Sequence, residues 1–258
     1  MLPQINIGSL VIPSYGICMD TGIVIAFLVS YYRLRARGGS VDSLLMIAAV
    51  AMAVGLILAK IAFYIFSYGV DRLISELLTG DFSGFSNAGL VYYGGLIGGI
   101  AGACVAIRVS KLDFDTYACA IVPCIPLGHA FGRIGCLLAG CCYGLRYKGA
   151  FAVHSVYVDT GETLFPIQAV ESIWNIVLFT ALSLYSRKKK NGHLLLEFYI
   201  VLYAIARFIL EFFRGDLIRG VYWGFSTSQW ISFLLASVCL ALIVRNRRQG
   251  RTESTVVP

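Results

Sequence analysis

The sequence has few charges. Asp, Glu, Lys and Arg make up 14% of the 258 residues, against 58% hydrophobic residues. Soluble domains carry about 25% charged and about 45–50% apolar residues, so this composition excludes an ordinary soluble globule. The mean hydropathy of +0.78 points to an integral membrane protein. The sequence also lacks the apolar/polar alternation over about 10 residues that an outer-membrane barrel would show. It has no internal repeat and no composition shift that would mark a second domain. Its first residues, "MLPQINIGSLVIPSYG", have no basic stretch and no small-residue cleavage site, so a signal peptide is not expected and the first span is taken as retained.

What is present is a series of continuous apolar runs. A helix rises about 1.5 Å per residue and needs about 20 apolar residues to cross a bilayer core. Seven runs qualify, at roughly 14–32, 43–66, 89–107, 114–138, 166–186, 194–213 and 225–244. The predicted fold class is therefore all-α: a polytopic membrane protein with seven transmembrane helices, occupying residues 1–246.

The segments between the runs sort by charge. "RLRAR" at 33–37, Arg108 with Lys111, "RKKK" at 187–190, and Arg245, Arg247, Arg248 and Arg251 together hold 13 of the 21 lysines and arginines. The positive-inside rule puts these four segments in the cytoplasm. The N-terminus is then outside and the C-terminus cytoplasmic. The polar tail at 247–258 reads as a disordered cytoplasmic end. The net charge of +7 is explained by this topology and by contact with anionic lipid, so no nucleic-acid partner is expected. The long segment at about 139–165 falls on the outer face.

Charges within the apolar runs are functional candidates. Arg133 lies near the outer end of the fourth run. Arg207, Glu211 and Arg214 fall at i, i+4 and i+7 on one face of the sixth. One arginine can pair with Glu211. The others suit an anion, and the abundant anion of a bilayer is a lipid phosphate, which the guanidinium fork binds through two parallel hydrogen bonds. The alternative is a purely structural Arg–Glu network. In "YYGGLIGGIAGA" the glycines recur at i+4, a spacing that lets helices approach closely.

The segment "DTYACAIVPCIPLGHAFGRIGCLLAGCCYG" resembles the signature region of the prolipoprotein diacylglyceryl transferase family. The resemblance extends in order through "YGICMDTG", "LVYYGGLIGG", "FPIQAVES", "RFILEFFRGD" and "STSQWIS". It implies transfer of the diacylglyceryl group of phosphatidylglycerol to the lipobox cysteine of a preprolipoprotein. The products are a thioether and glycerol phosphate, and neither a metal nor a cofactor is implied. Phosphatidylglycerol, the lipobox segment and membrane lipid are the expected partners. The resemblance assigns Arg133 and Arg207 to the phosphate. The base is Tyr93, which holds a position where the family commonly has histidine, or else His129, one turn before Arg133. Tyr15, Gly94, Gly95, Cys136, Gly144, Gln168, Glu211 and Arg214 are expected to line the lipid and substrate site.

The signature departs from the family where Cys136, Ala139 and Cys141 replace two asparagines and a glutamate. There are eight cysteines, and three of them, Cys136, Cys141 and Cys142, cluster in sequence. They are expected to be mostly bystanders. The rival reading is a divergent relative with cysteine-based thiol, redox or metal chemistry, in which His154 would be a fourth zinc ligand.

Overall fold

The computed structural model describes residues 2–8, 10–80, 83–86, 89–156, 158, 161–188, 191–215 and 221–253. Among the described residues, seven helical segments are long and apolar enough to cross a membrane: Ser14–Arg35, Val41–Tyr68, Tyr92–Val109, Phe114–Ala139, Ile167–Lys188, Gly192–Glu211 and Thr227–Arg245. They fall on the seven runs predicted from the sequence, with ends shifted by a few residues.

The chain forms two compact units. The first comprises Met1–Arg33 with Ala118–Pro258, and the second is Leu34–Tyr117. In the first unit, strands β1 (Gln4–Ile7) and β2 (Leu10–Pro13) pair antiparallel and lead into helix α1 (Ser14–Arg35). The hairpin is tied down where the Leu2 amide donates to the carbonyl of Leu138, at 3.0 Å.

The fourth span is not one straight helix. It divides into α6 (Phe114–Ile121) and α7 (Cys124–Ala139) at Pro123. A proline has no N–H to give and its ring displaces the carbonyl four residues back, which is that of Cys119. The freed acceptors are taken by Arg33 at the end of α1. Its guanidinium donates to the Cys119 carbonyl at 2.9 Å and the Ala120 carbonyl at 3.2 Å. The same group donates to Ser183 and Ser186 near the end of α8 (Ile167–Lys188), at 3.1 and 2.6 Å. An arginine placed by the sequence in a cytoplasmic loop thus also satisfies the kink.

Helix α8 packs on α7 and on α9 (Gly192–Glu211), and α9 packs on α10 (Thr227–Glu253). Val201, Cys239 and Ile243 form the buried seam of the last pair. Helix α10 continues through 247–253, residues that composition alone assigned to a disordered tail, while 254–258 lie outside the described residues. Strands β3 (Val221–Tyr222) and β4 (Phe225–Ser226) form a short hairpin before α10.

In the second unit, α2 (Val41–Tyr68) packs along α5 (Tyr92–Val109), with the short helices α3 (Val70–Thr79) and α4 (Ser83–Ser86) between them in sequence. The glycine stripe sets this contact. A Cβ on Gly94 would lie 2.6 Å from the Leu58 carbonyl oxygen, and one on Gly98 would lie 2.8 Å from that of Val54. Close approach of backbones is how small residues drive helix association in lipid, where the hydrophobic effect gives no net drive.

Candidate active site

The charged residues of α7, α8 and α9 meet in one buried network. Arg133 forms an ion pair with Glu171, its Nε lying 2.7 Å from Oε2. Arg207 reaches Glu171 Oε1 with Nη1 at 3.0 Å and Glu211 Oε2 with Nη2 at 2.6 Å. Arg214 lies 3.8 Å from Glu171 and 3.9 Å from Glu211. All five side chains are less than 10% exposed. Among the described residues, three guanidinium groups thus meet two carboxylates in this network. Buried charge costs several kcal/mol per ion, and arginines gathered inside a membrane protein suit a site that takes an anion.

The arginines differ in how they are held. Arg207 uses both Nη arms on carboxylates. Arg133 meets Glu171 through Nε, so its Nη edge is not taken up by that carboxylate. A planar fork of this kind binds a phosphate bidentately.

Glu171 is the hub, and the sequence reading did not single it out. Its signal was an acid inside an apolar span, in "FPIQAVES", three residues after Gln168. Each arginine inside a membrane calls for a partner, and Glu211 alone was too few. Asn175, one turn further, donates to the Glu171 carbonyl at 2.7 Å. His129, Glu171, Asn175, Tyr203 and Arg207 line a tight cavity of about 10 Å³, room for about one water molecule. The His129 ring lies 5.5 Å from that of Tyr203.

Glu211 is held from α10. Ser226 and Gln229 form a capping box at the start of that helix: the Ser226 amide donates to Gln229 Oε1 at 2.8 Å, and the Gln229 amide donates to Ser226 Oγ at 3.2 Å. The same Ser226 hydroxyl then donates to Glu211 Oε1 at 2.8 Å. A helix cap thereby fixes one carboxylate of the network.

Arg214 is placed by backbone. Gly144 and Arg214 form an antiparallel bridge, and the Gly215 amide donates to the Tyr143 carbonyl at 3.0 Å. A Cβ on Gly144 would sit 2.5 Å from the Phe165 carbonyl oxygen, and one on Gly215 would sit 2.5 Å from that of Gly144. Two glycines are therefore required where these chains cross.

The outer segment carries the cysteines over the end of α7. Gly140 and Cys142 both adopt left-handed backbone, with φ of 78° and 57°. This turn brings the sulfurs of Cys136, Cys141 and Cys142 within 4.8 Å of one another. All are free thiols. Gln168, fully buried, donates to the Cys141 carbonyl at 2.7 Å and holds the loop. Hydrogen bonds from Cys136 and Cys141 hold the Cys142 thiol well below the usual thiol range, with help from Arg214 and Arg133. Tyr15 lies within electrostatic reach of Arg133 and all three cysteines. His154 is exposed and stands apart from the sulfur group.

The family model for prolipoprotein diacylglyceryl transferase matches residues 3–245. The chain belongs to the prolipoprotein diacylglyceryl transferase family. It is 33% identical over 252 residues to a Clostridium perfringens protein named phosphatidylglycerol–prolipoprotein diacylglyceryl transferase 2, covering 96% of each chain. A Clostridium tetani protein with the same transferase name is 32% identical over 244 residues, covering 93% of this chain and 94% of its own. A Dehalococcoides mccartyi transferase is 32% identical over 257 residues, covering 96% and 95%.

Among the residues that the family resemblance pointed to, the structure brings Arg133, Arg207, Glu211 and Arg214 into one network. Cys136, Gly144 and Gln168 sit around the loop that borders it. Tyr93, Gly94 and Gly95 belong to the second unit. There Tyr93 is buried near the start of α5 and Gly94 is taken up by packing on α2, whereas Gly95 makes only ordinary contacts.

Proposed function

We propose that this chain transfers the diacylglyceryl group of phosphatidylglycerol to the cysteine thiol of a prolipoprotein lipobox. The observation that carries the reading is the buried cluster of Arg133, Arg207 and Arg214 around Glu171 and Glu211, set in a transferase-family chain. In the reaction a sulfur–carbon bond forms at the glyceryl carbon and the adjacent carbon–oxygen bond to phosphate breaks. The bonding electrons go to the phosphate oxygen, which leaves as glycerol phosphate with added negative charge. Preorganised donors aimed at developing charge in a low-dielectric site are the strongest general means of catalysis. Arg133 offers its Nη edge to the phosphate. Arg207, anchored on both glutamates, and Arg214 supply the surrounding positive field.

The membrane arrangement follows from charge. In the first unit the site lies at the ends of α7 and α9 and the starts of α8 and α10. The basic residues Arg33, Arg187 and Lys188 lie at the opposite ends of α1 and α8. The positive-inside rule then puts the N-terminus and the site on the outer side of the bacterial cytoplasmic membrane and the C-terminus in the cytoplasm. Exported prolipoproteins and lipid reach the site from that side.

The test is transfer from phosphatidylglycerol to a lipobox peptide by the purified protein. Product with a new thioether supports the reading, and no product from a folded, lipid-reconstituted enzyme overturns it. The base is assigned by the same assay run between about pH 5 and 9. Tyr93 holds the position of the family's histidine, so Tyr93→Phe is expected to lose activity at every pH while His129→Gln shifts it little. If His129 is the base the ranking reverses, and the wild-type rate falls on acidification as the imidazole takes up a proton.

A further inference from the structure

Three sulfurs converge beside the arginine network without a role in the account above. Two features of the chain are devoted to this convergence. The left-handed turn at Gly140 and Cys142 folds the segment back over α7, and a non-glycine residue in that region holds a conformation costing on the order of 1–3 kcal/mol. Gln168, fully buried, clamps the Cys141 carbonyl from α8.

The spacing matches a ligand set. A zinc–sulfur bond is about 2.3 Å, which places the sulfurs of a tetrahedral site about 3.8 Å apart. Here the three lie within 4.8 Å of one another, so small side-chain rotations close them on a common centre. Disulfide pairing would need about 2.05 Å between two of them. Arg133 and Arg214 lie within electrostatic reach of the cluster. Among the described residues no fourth His, Cys, Asp or Glu joins the group. Three protein ligands with an open fourth position is the arrangement of a reactive zinc site, whereas structural sites are closed by four. A cavity of about 490 Å³ begins at the next residue, lined by Tyr143, Gly144, Arg146, Glu162, Leu164 and Gly215.

We infer that Cys136, Cys141 and Cys142 bind one zinc ion, whose open fourth position takes the acceptor cysteine thiol of the incoming peptide. The inference rests on the transfer reading above and reverses the expectation that the cysteines are bystanders. Loading the site releases the protons of Cys136 and Cys141 to solvent, and coordination releases the proton of the acceptor thiol to solvent as well. The bound thiolate then forms the sulfur–carbon bond while the carbon–oxygen bond to phosphate breaks, and the thioether, a weaker ligand than a thiolate, departs. No electron is gained or lost by the metal. Arg133 lies within electrostatic reach of Cys136 and Cys142, so the nucleophile is generated beside the group that receives the leaving phosphate.

The test uses the full-length protein in lipid nanodiscs, stripped with a chelator and reloaded with zinc or cobalt(II). One zinc per chain is expected, together with a cobalt–thiolate charge-transfer absorption. Cys141→Ser and Cys142→Ser are expected to lose both. A lipobox peptide should perturb the cobalt d–d bands, and its Cys→Ser counterpart should not. Transfer should fall on stripping and return with zinc. In the two serine variants it should fall by more than the roughly 10–100-fold that loss of an outer-shell partner costs. Absence of stoichiometric metal in wild type, a Cys136–Cys141 or Cys136–Cys142 disulfide, or undiminished transfer by the stripped enzyme would overturn the metal site. None of these would touch the transfer reading if wild type still makes product. Conversely, a protein that binds zinc and peptide thiol but makes no thioether keeps the site and removes the transfer reading.

Discussion

The two units solve the problem of packing helices in lipid in opposite ways. In Leu34–Tyr117, α2 and α5 meet through Gly94, Gly98 and Gly102, and backbone lies against backbone. In the unit built from α7, α8 and α9, the helices meet through three arginines and two glutamates that are nearly closed off from solvent. The first solution is inexpensive, since small residues lose little and need no partners. The second is costly, because each buried ion must be desolvated. A helix interface that needed only stability would use the first. The difference marks the second as chemistry, and the comparison can be broken or sharpened by mutation.

The largest effect on stability is expected at the hub. Glu171→Ala removes the carboxylate shared by Arg133 and Arg207 and leaves buried guanidinium groups facing each other. Loss of one partner of a buried pair costs about 3–5 kcal/mol, and thermal unfolding in detergent should register it as a large drop in Tm with loss of transfer. A variant that melts like wild type would show that Glu171 does not hold the arginines of the network.

A smaller loss is expected in the glycine-packed unit, and with a different character. Gly98→Val forces a side chain against the Val54 carbonyl at 2.8 Å and the Leu58 Cβ at 2.9 Å. Overpacking of this kind costs about 1–3 kcal/mol. A Cβ on its neighbour Gly99 would meet only the Ala51 carbonyl, at 3.7 Å, so Gly99→Ala should be nearly neutral or stabilising. Equal melting temperatures for the two variants would contradict packing as the role of the stripe.

The smallest effect is expected at the cap. Ser226→Ala loses the N-terminal cap of α10 and the hydrogen bond to Glu211 Oε1. The cap is worth about 1 kcal/mol. The structure also ties this hydroxyl to the network, so kcat should fall several-fold while stability changes little. Ser226→Thr, which keeps the hydroxyl, should restore it. A pure stability loss with unchanged kcat would separate the cap from the site.

Much of the fold was legible in the sequence because membrane spans are written in long apolar runs. The seven runs fall on the seven helices. The kink in the fourth was legible in principle, since Pro123 and Pro126 stand within the run, but its partner was not: nothing in "RLRAR" says that Arg33 caps the freed carbonyls of Cys119 and Ala120. The arginines of the site stood out for the same reason, as charges where charges are costly. Glu171 was equally exposed to that argument and was missed because the search followed spacing within one helix, whereas its partners come from two others. The meeting of the cysteines was not legible. It depends on left-handed backbone at Cys142, which sequence does not signal.

The central claim is that Arg133 stabilises the charge that develops on the leaving phosphate. The most direct measurement is the single-turnover rate of purified Arg133→Lys with phosphatidylglycerol and a lipobox peptide, beside wild type. A lysine keeps the charge and loses the two-pronged contact. Removing one such donor from a developing oxyanion costs about 2.7–4 kcal/mol, or roughly 100–1,000-fold in rate. The account predicts that loss in a protein that still folds and binds lipid, and a rate within a few-fold of wild type would contradict it.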